Sequence, residues 1–325
     1  GGFRDPTTAW QGSDGVWRML VGCGSNVGTC QYKSKDFLDW TYVGQFHYHG
    51  TGMWECPDFY PLDSGKYVLK ASVSGDWWAV GEYQENADPS KPDSFVPSAA
   101  DVHDNDQKYD FGTFYASKTF RDPKGNRQVL FGWTNYHCDG TNWAGIQTFP
   151  RTVASDPEDG TRIVTNPIKE IESLRNTTVA EANVTVGPGA SYTLKQGGNQ
   201  LDLELVLGDG AGPGVDLEVY ALAGASEAGV KVAWAQTANG GTLQGHAYKV
   251  SGPMSLRLLV DHSVVEAYAQ GGRAVATLPY CPQSPSSQSI TVVNKGAAPV
   301  TLATATVHTL NTANVVPTDS PLVYV

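Results

Sequence analysis

Two short segments constrain the fold of this chain most. Arg4-Asp5-Pro6 and Trp54-Glu55-Cys56-Pro57-Asp58 each place a carboxylate on strand-like chain beside proline. They stand about 50 residues apart, the length of one four-stranded propeller blade. A third acidic residue, Asp110 in Tyr109-Asp110-Phe111-Gly112, continues the step at a similar interval. Between these points Val16–Gly22, Thr29–Lys33, Lys66–Val73, Trp77–Tyr83, Thr113–Thr119 and Gln128–Trp133 read as strands, with Gly, Asp and Asn between them. Repeats of this length with several strands each indicate propeller blades, and residues 1–165 hold about three of them. A ring needs about four to eight blades, so the rest are expected upstream, on a preceding or separate segment.

The second half reads differently. Of the nine Trp, only Trp234 lies beyond residue 150, which separates two units in a chain too long for one ordinary core. Residues 166–180 read as a connector, with a short helical stretch at Ile168–Arg175. From Val184 apolar and polar residues alternate, as in Leu201–Leu207, Val215–Val219, Ser255–Val260, Val264–Tyr268, Ser289–Val293 and Val300–Val307. Antiparallel strands with one buried face give this alternation, so residues 181–325 are predicted to form a β-sandwich. The tail from Asn314 to Val325 carries no pattern of its own. The fold class is all-β: a partial propeller followed by a sandwich.

Charge and cysteine usage narrow the chemistry. A net charge of −11 disfavours nucleic acid, which needs basic patches, and suits a neutral substrate such as a sugar. No apolar run approaches the ~20 residues of a membrane helix. The cysteines are Cys23, Cys30, Cys56, Cys138 and Cys281, with no CxxC pair, so no zinc site is expected. Cys23 and Cys30 flank a hairpin-like turn and read either as a disulfide or as two free thiols. His47-Tyr48-His49 reads as surface or packing groups before it reads as a metal site. The acidic run 101–106 lacks the Gly and terminal Glu of a calcium loop and reads as solvated. No metal or cofactor is expected. Asn176-Thr177-Thr178 and Asn183-Val184-Thr185 are glycosylation sequons and favour a secretory route.

The carboxylates carry the chemistry. Glu55 lies between Trp54 and Cys56, and an apolar setting disfavours its ionised form. That suits a general acid that protonates a leaving sugar oxygen; the bland alternative is a Glu held by a basic neighbour at a strand end. Asp5, beside Arg4, stays ionised and suits hydrogen bonding to sugar hydroxyls, with a local Arg–Asp turn as its alternative. Trp10, Trp54, Trp77 and Trp78 either stack on sugar faces or fill blade cores.

These motifs carry a resemblance. Phe3-Arg4-Asp5-Pro6-Thr7-Thr8, Tyr32–Phe37, Met53-Trp54-Glu55-Cys56-Pro57-Asp58-Phe59-Tyr60-Pro61, Tyr109–Gly112, Phe114–Phe120, Pro150-Arg151-Thr152 and Val260–Glu266 run in family order over nearly the whole chain. The chain resembles the plant-type β-fructosidases of glycoside hydrolase family 32: acid invertases, fructan exohydrolases and fructosyltransferases. The resemblance implies a five-bladed propeller followed by a sandwich. Glu55 would be the acid/base and Asp5 the transition-state stabiliser. Arg4, Asp58 and Asp110 would support them or bind substrate. Of the aromatic residues above, Trp10 and Trp77 are the ones expected at the sugar, independently of the resemblance. The family nucleophile, an Asp in an Asn-Asp-Pro-Asn-Gly-type motif, is absent from this chain. The partner so implied is an N-terminal part of the same protein, without which the chain would be inactive.

The donor is expected to be sucrose or fructan. The Asp/Lys pair of plant invertases has no clear counterpart in Ser74-Gly75-Asp76-Trp77-Trp78, which leans towards fructan. Pro57 resembles cell-wall invertases and exohydrolases, and the expected location is the vacuole or the cell wall. A fructosyltransferase and a non-catalytic fructoside-binding homologue are the alternatives.

Overall fold

The computed structural model describes residues 2–102, 104, 107–224, 227–283 and 288–313. Its first part is three antiparallel sheets in chain order. The first holds Phe3–Arg4, Trp17–Cys23, Thr29–Ser34 and Thr41–His47, with Trp10–Gln11 on its flank. The second holds Glu55–Pro61, Tyr67–Ser72, Asp76–Gln84 and Ser94–Pro97. The third holds Tyr115–Asp122, Arg127–Thr134, Arg151–Asp156 and Asp159–Pro167, with Ile146–Gln147 attached. Each is a blade-like meander, as the spacing predicts.

The middle sheet is covered on both faces. Leu69 and Ala71 pack with Leu20, Phe46, Trp54 and Phe95 towards the first sheet. Val68 packs with Leu130, Phe114 and Val153 towards the third. Double burial explains why Val68-Leu69-Lys70-Ala71 reads as a near-continuous apolar run.

The outer faces differ. On the first sheet Phe3, Tyr32 and Tyr42 form a chain of ring contacts, with Phe3 63% and Tyr42 53% exposed. On the third, Phe120 stacks on Phe131, and Phe120 and Trp133 are 50% and 42% exposed.

The second part is a sandwich of two six-stranded sheets. Leu201, Leu203, Leu205, Leu217, Val219, Val232 and Trp234 fill the space between them. The connector is shorter than expected: Asp159–Pro167 belongs to the third blade and Arg175–Val186 to the sandwich. Only a 3-10 turn, Lys169–Leu174, lies between. Polar, exposed strand residues hide this boundary in the sequence. The expected tail, 314–325, lies outside the described residues.

Backbone pairing crosses between the two parts. Phe111 N–H donates to Val275 O at 2.8 Å and Thr113 N–H to Thr277 O at 2.8 Å. A Cβ on Gly112 would fall 2.0 Å from Thr277 O, so only glycine allows this approach. The disulfide Cys138–Cys281 also spans the junction, and Cys23–Cys30 closes the hairpin of the first sheet.

Candidate active site

Each blade contributes the start of its first strand to one site. Arg4 belongs to the two-residue first strand of blade one, Phe3–Arg4, and Asp5 follows it directly; Glu55 opens the first strand of blade two, and Tyr115 opens that of blade three. Arg4 Nη1 donates to Glu55 Oε1 at 2.8 Å. Tyr115 OH donates to Glu55 Oε2 at 2.7 Å. Asp5 Oδ2 accepts from Cys56 N–H at 3.0 Å, which puts the second carboxylate against the residue following Glu55.

The local backbone is unusual at all three points. Asp5, Cys56 and Ala116 are non-glycine residues with φ of 58°, 45° and 51°. The strand registers shift between Glu55 and Asp58 and between Tyr115 and Lys118. Bulges of this kind re-aim side chains at strand ends, and left-handed non-glycine residues there cost about 1–3 kcal/mol each. Lys118 donates to Pro6 O at 3.0 Å and to Pro57 O at 2.5 Å, linking all three first strands. Burial holds its ammonium below the usual lysine range.

The surroundings of Glu55 are not the apolar pocket that its motif suggests. Alternation sends Trp54 into the blade core, while Glu55 is met by a guanidinium and a phenol and stays 32% exposed. Burial and the hydrogen bond to Glu55 push the Tyr115 phenol well above its ordinary range, so it remains a donor.

The other expected residues take other places. Asp58 is buried; its Oδ2 accepts from Thr119 N–H at 2.7 Å and Thr119 Oγ1 at 2.9 Å, clamping blade two to blade three. Asp110 is buried at the domain junction: Oδ2 meets Arg151 Nη1 at 2.9 Å, and Oδ1 accepts from Thr277 N–H at 2.7 Å. Tyr115, and not Asp110, opens the first strand of blade three and holds the place that continues the step from Glu55. Trp10 packs on Phe59 and Tyr83 in a blade core. Trp77, at the Glu55 end of its strand, donates to Val73 O at 2.9 Å and carries Lys108 Nζ 4.4 Å from its ring.

His47 and His49 pair with Asp101 and Asp104, both at 2.9 Å. Among the described residues no group of three or more His, Cys, Asp or Glu is arranged to hold a metal. His103, Asn105 and Asp106 of the acidic run lie outside the described residues. Asn176 and Asn183 are exposed on the edge strand Arg175–Val186.

Tyr115 and Lys118 escaped the sequence reading, although both lie in the run Phe114–Phe120. Their signal was the motif itself; only tertiary register shows that they reach Glu55 and Pro57.

Residues 1–167 match the glycosyl hydrolases family 32 N-terminal domain, and residues 170–311 match the family's C-terminal domain. The chain belongs to glycoside hydrolase family 32. Among curated family 32 relatives, "Beta-fructofuranosidase, insoluble isoenzyme 2" of Oryza sativa subsp. indica is 42% identical over 206 residues, covering 53% of this chain and 33% of the relative. "Fructan 1-exohydrolase" of Bromus pictus is 38% identical over 242 residues, covering 65% and 39%. The matched stretch thus spans 33–40% of the length of such relatives. The solved fructan 1-exohydrolase IIa of Cichorium intybus is 27% identical, with a TM-score of 0.82 over 96% of this chain and 72% of that one. The sandwich and the blades of this chain are therefore the family 32 architecture.

Proposed function

We propose that this chain carries the acid/base half of a retaining β-fructosidase that releases terminal fructose from β-fructofuranosides. The observation that carries the reading is the convergence of Arg4, Asp5, Glu55 and Tyr115 from three blades on one point. Glu55 is the acid that protonates the leaving oxygen and then the base that activates water. Asp5, its Oδ2 tied to the Cys56 amide, hydrogen-bonds fructose hydroxyls as positive charge develops on the ring.

A retaining glycosidase needs a second carboxylate ~5–5.5 Å from the first, as nucleophile. We assign it to an N-terminal part of the same protein. The exposed aromatic faces at both ends of the three-blade arc support this, because equivalent faces between the blades are buried. Fructan is the favoured donor. Asp76, the acidic residue of the segment Ser74–Trp78 in which the Asp/Lys pair of plant invertases has no clear counterpart, is turned inward onto Lys70 and is not available to a sugar. Two disulfides and two exposed sequons support a secretory route to the vacuole or cell wall.

The test uses the complete protein with sucrose, inulin and levan. Glu55→Gln should cut fructose release by about 10²–10⁴-fold. The chain alone should release none, and should gain activity when co-expressed with the N-terminal part. Unchanged release by Glu55→Gln rejects the assignment.

A further inference from the structure

Directly beneath Glu55 and Tyr115 lies an ion pair with no role in the mechanism above. Lys70 and Asp76, both fully buried, meet at 3.1 Å. The Lys70 ammonium also donates to Cys56 O at 3.1 Å, Ser117 O at 2.8 Å and Ser72 Oγ at 2.7 Å. Asp76 Oδ2 accepts the Ser117 N–H at 2.7 Å.

The residues held are informative. Cys56 follows Glu55, and Ser117 lies two after Tyr115. At each of these places the strand register breaks, and Cys56 and Ala116 take left-handed backbone. A strained bulge persists only where its surroundings over-determine it. Here one buried pair grips both bulges, on two different blades. Stability alone is a poor account of such a pair, since apolar replacements of buried ion pairs are often neutral or better.

We propose that Lys70 and Asp76 are positioning residues for the acid/base. They set the Glu55 bulge against the Tyr115 bulge, so that the carboxyl proton lies in line with the leaving oxygen. This rests on Glu55 being the acid.

The test compares two substrates on the complete protein. Inulin has an alkoxide leaving group that needs a proton, whereas an aryl β-fructofuranoside expels a phenolate that does not. The double variant Lys70→Met/Asp76→Asn removes both charges together. Its kcat/KM should fall about 10²-fold on inulin, the cost of misplacing a catalytic group by about 1 Å. On the aryl fructoside it should stay within a few-fold of the parent. The near-isosteric single variant Asp76→Asn, which keeps an acceptor for Ser117 N–H, should show the same split at about tenfold. Equal losses on both substrates, or no loss on either, overturn the proposal. Glu55→Gln run alongside must itself show the split. If it does not, the acid/base reading fails and takes this proposal with it; if it does and the Lys70/Asp76 variants do not, only the positioning role is lost.

Discussion

Tyr115 reaches across from the third blade to donate its phenol proton to Oε2 of Glu55 on the second, at 2.7 Å. The two residues are 60 apart in the chain, and the contact exists only because successive blades bring the starts of their first strands together. As Glu55 gives up its proton to the leaving oxygen its carboxylate becomes charged; a hydrogen bond to a charged group is worth about 1.5–3 kcal/mol, and about 1.4 kcal/mol is tenfold in rate. Tyr115→Phe in the complete protein should therefore lower kcat/KM on a fructan by about 10- to 100-fold. Steady-state fructose release is the measurement. An unchanged rate would mean that Arg4 alone suffices to hold Glu55.

The domain junction makes a second prediction. Arg151 is fully buried and meets Asp110 Oδ2 at 2.9 Å, Glu266 Oε2 at 2.6 Å, Thr277 Oγ1 at 2.8 Å and Tyr268 OH at 3.0 Å. Removing the guanidinium leaves two buried carboxylates uncompensated. Arg151→Met should cost about 3–5 kcal/mol in urea unfolding, while Thr277→Val, which removes only one hydroxyl, should cost about 1 kcal/mol. Similar losses from both variants would contradict the central place of Arg151.

The contrast between Glu55 and Asp110 shows what the sequence made legible. Glu55 sits in a contiguous motif that marks it as the candidate acid, while its partners Arg4 and Tyr115 lie 51 and 60 residues away and only the structure shows them. Asp110 looked like the next member of a periodic series, but its environment is set by residues far along the chain. Gly112 lets the backbone of 111–113 pair with 275–277, and Thr277 and Arg151 then take up the carboxylate. Spacing cannot see such a contact. The same holds for Arg151 and Glu266, two motifs noted separately that meet across 115 residues. Most strands were readable because alternation is local. The blade-to-sandwich boundary was not, because exposed polar residues continue through Arg175–Val186.

The disulfide Cys138–Cys281 supplies a third prediction. It joins a loop of the third blade to the sandwich across 143 residues of chain. Closing a loop of that size in the unfolded chain is worth about 4–5 kcal/mol on the chain-entropy model. The double variant Cys138→Ala/Cys281→Ala should lose most of that in chemical denaturation, whereas Cys23→Ala/Cys30→Ala, with a sequence separation of 7, should lose less. Equal losses from the two pairs would point to strain or residual unfolded structure in place of loop entropy.

A fourth prediction concerns acid. Asp93 joins the first two blades. It takes hydrogen bonds from Arg18 Nε at 2.7 Å, Lys33 Nζ at 2.8 Å, Gln31 Nε2 at 2.9 Å, Tyr83 OH at 2.6 Å and Asn86 N–H at 2.9 Å. Burial pushes its pKa up, but the donors outweigh burial and bring the carboxyl down from 3.8 to about 2. A carboxyl that is more acidic in the fold than in the unfolded chain stabilises the fold above its unfolded value. Its contribution, about 2 kcal/mol, is thus complete above about pH 4, declines as the pH falls and is gone below about pH 2. Asp93→Asn should be less stable than the parent at pH 7, because it removes the buried carboxylate charge that faces Lys33 Nζ and Arg18 Nε. It should also lose about 2 kcal/mol less than the parent between pH 5 and pH 2. Urea midpoints of both proteins across that range, with the difference between them isolating Asp93 from the other acids, provide the check. Parallel curves for parent and variant would show that the carboxyl is not depressed in the fold.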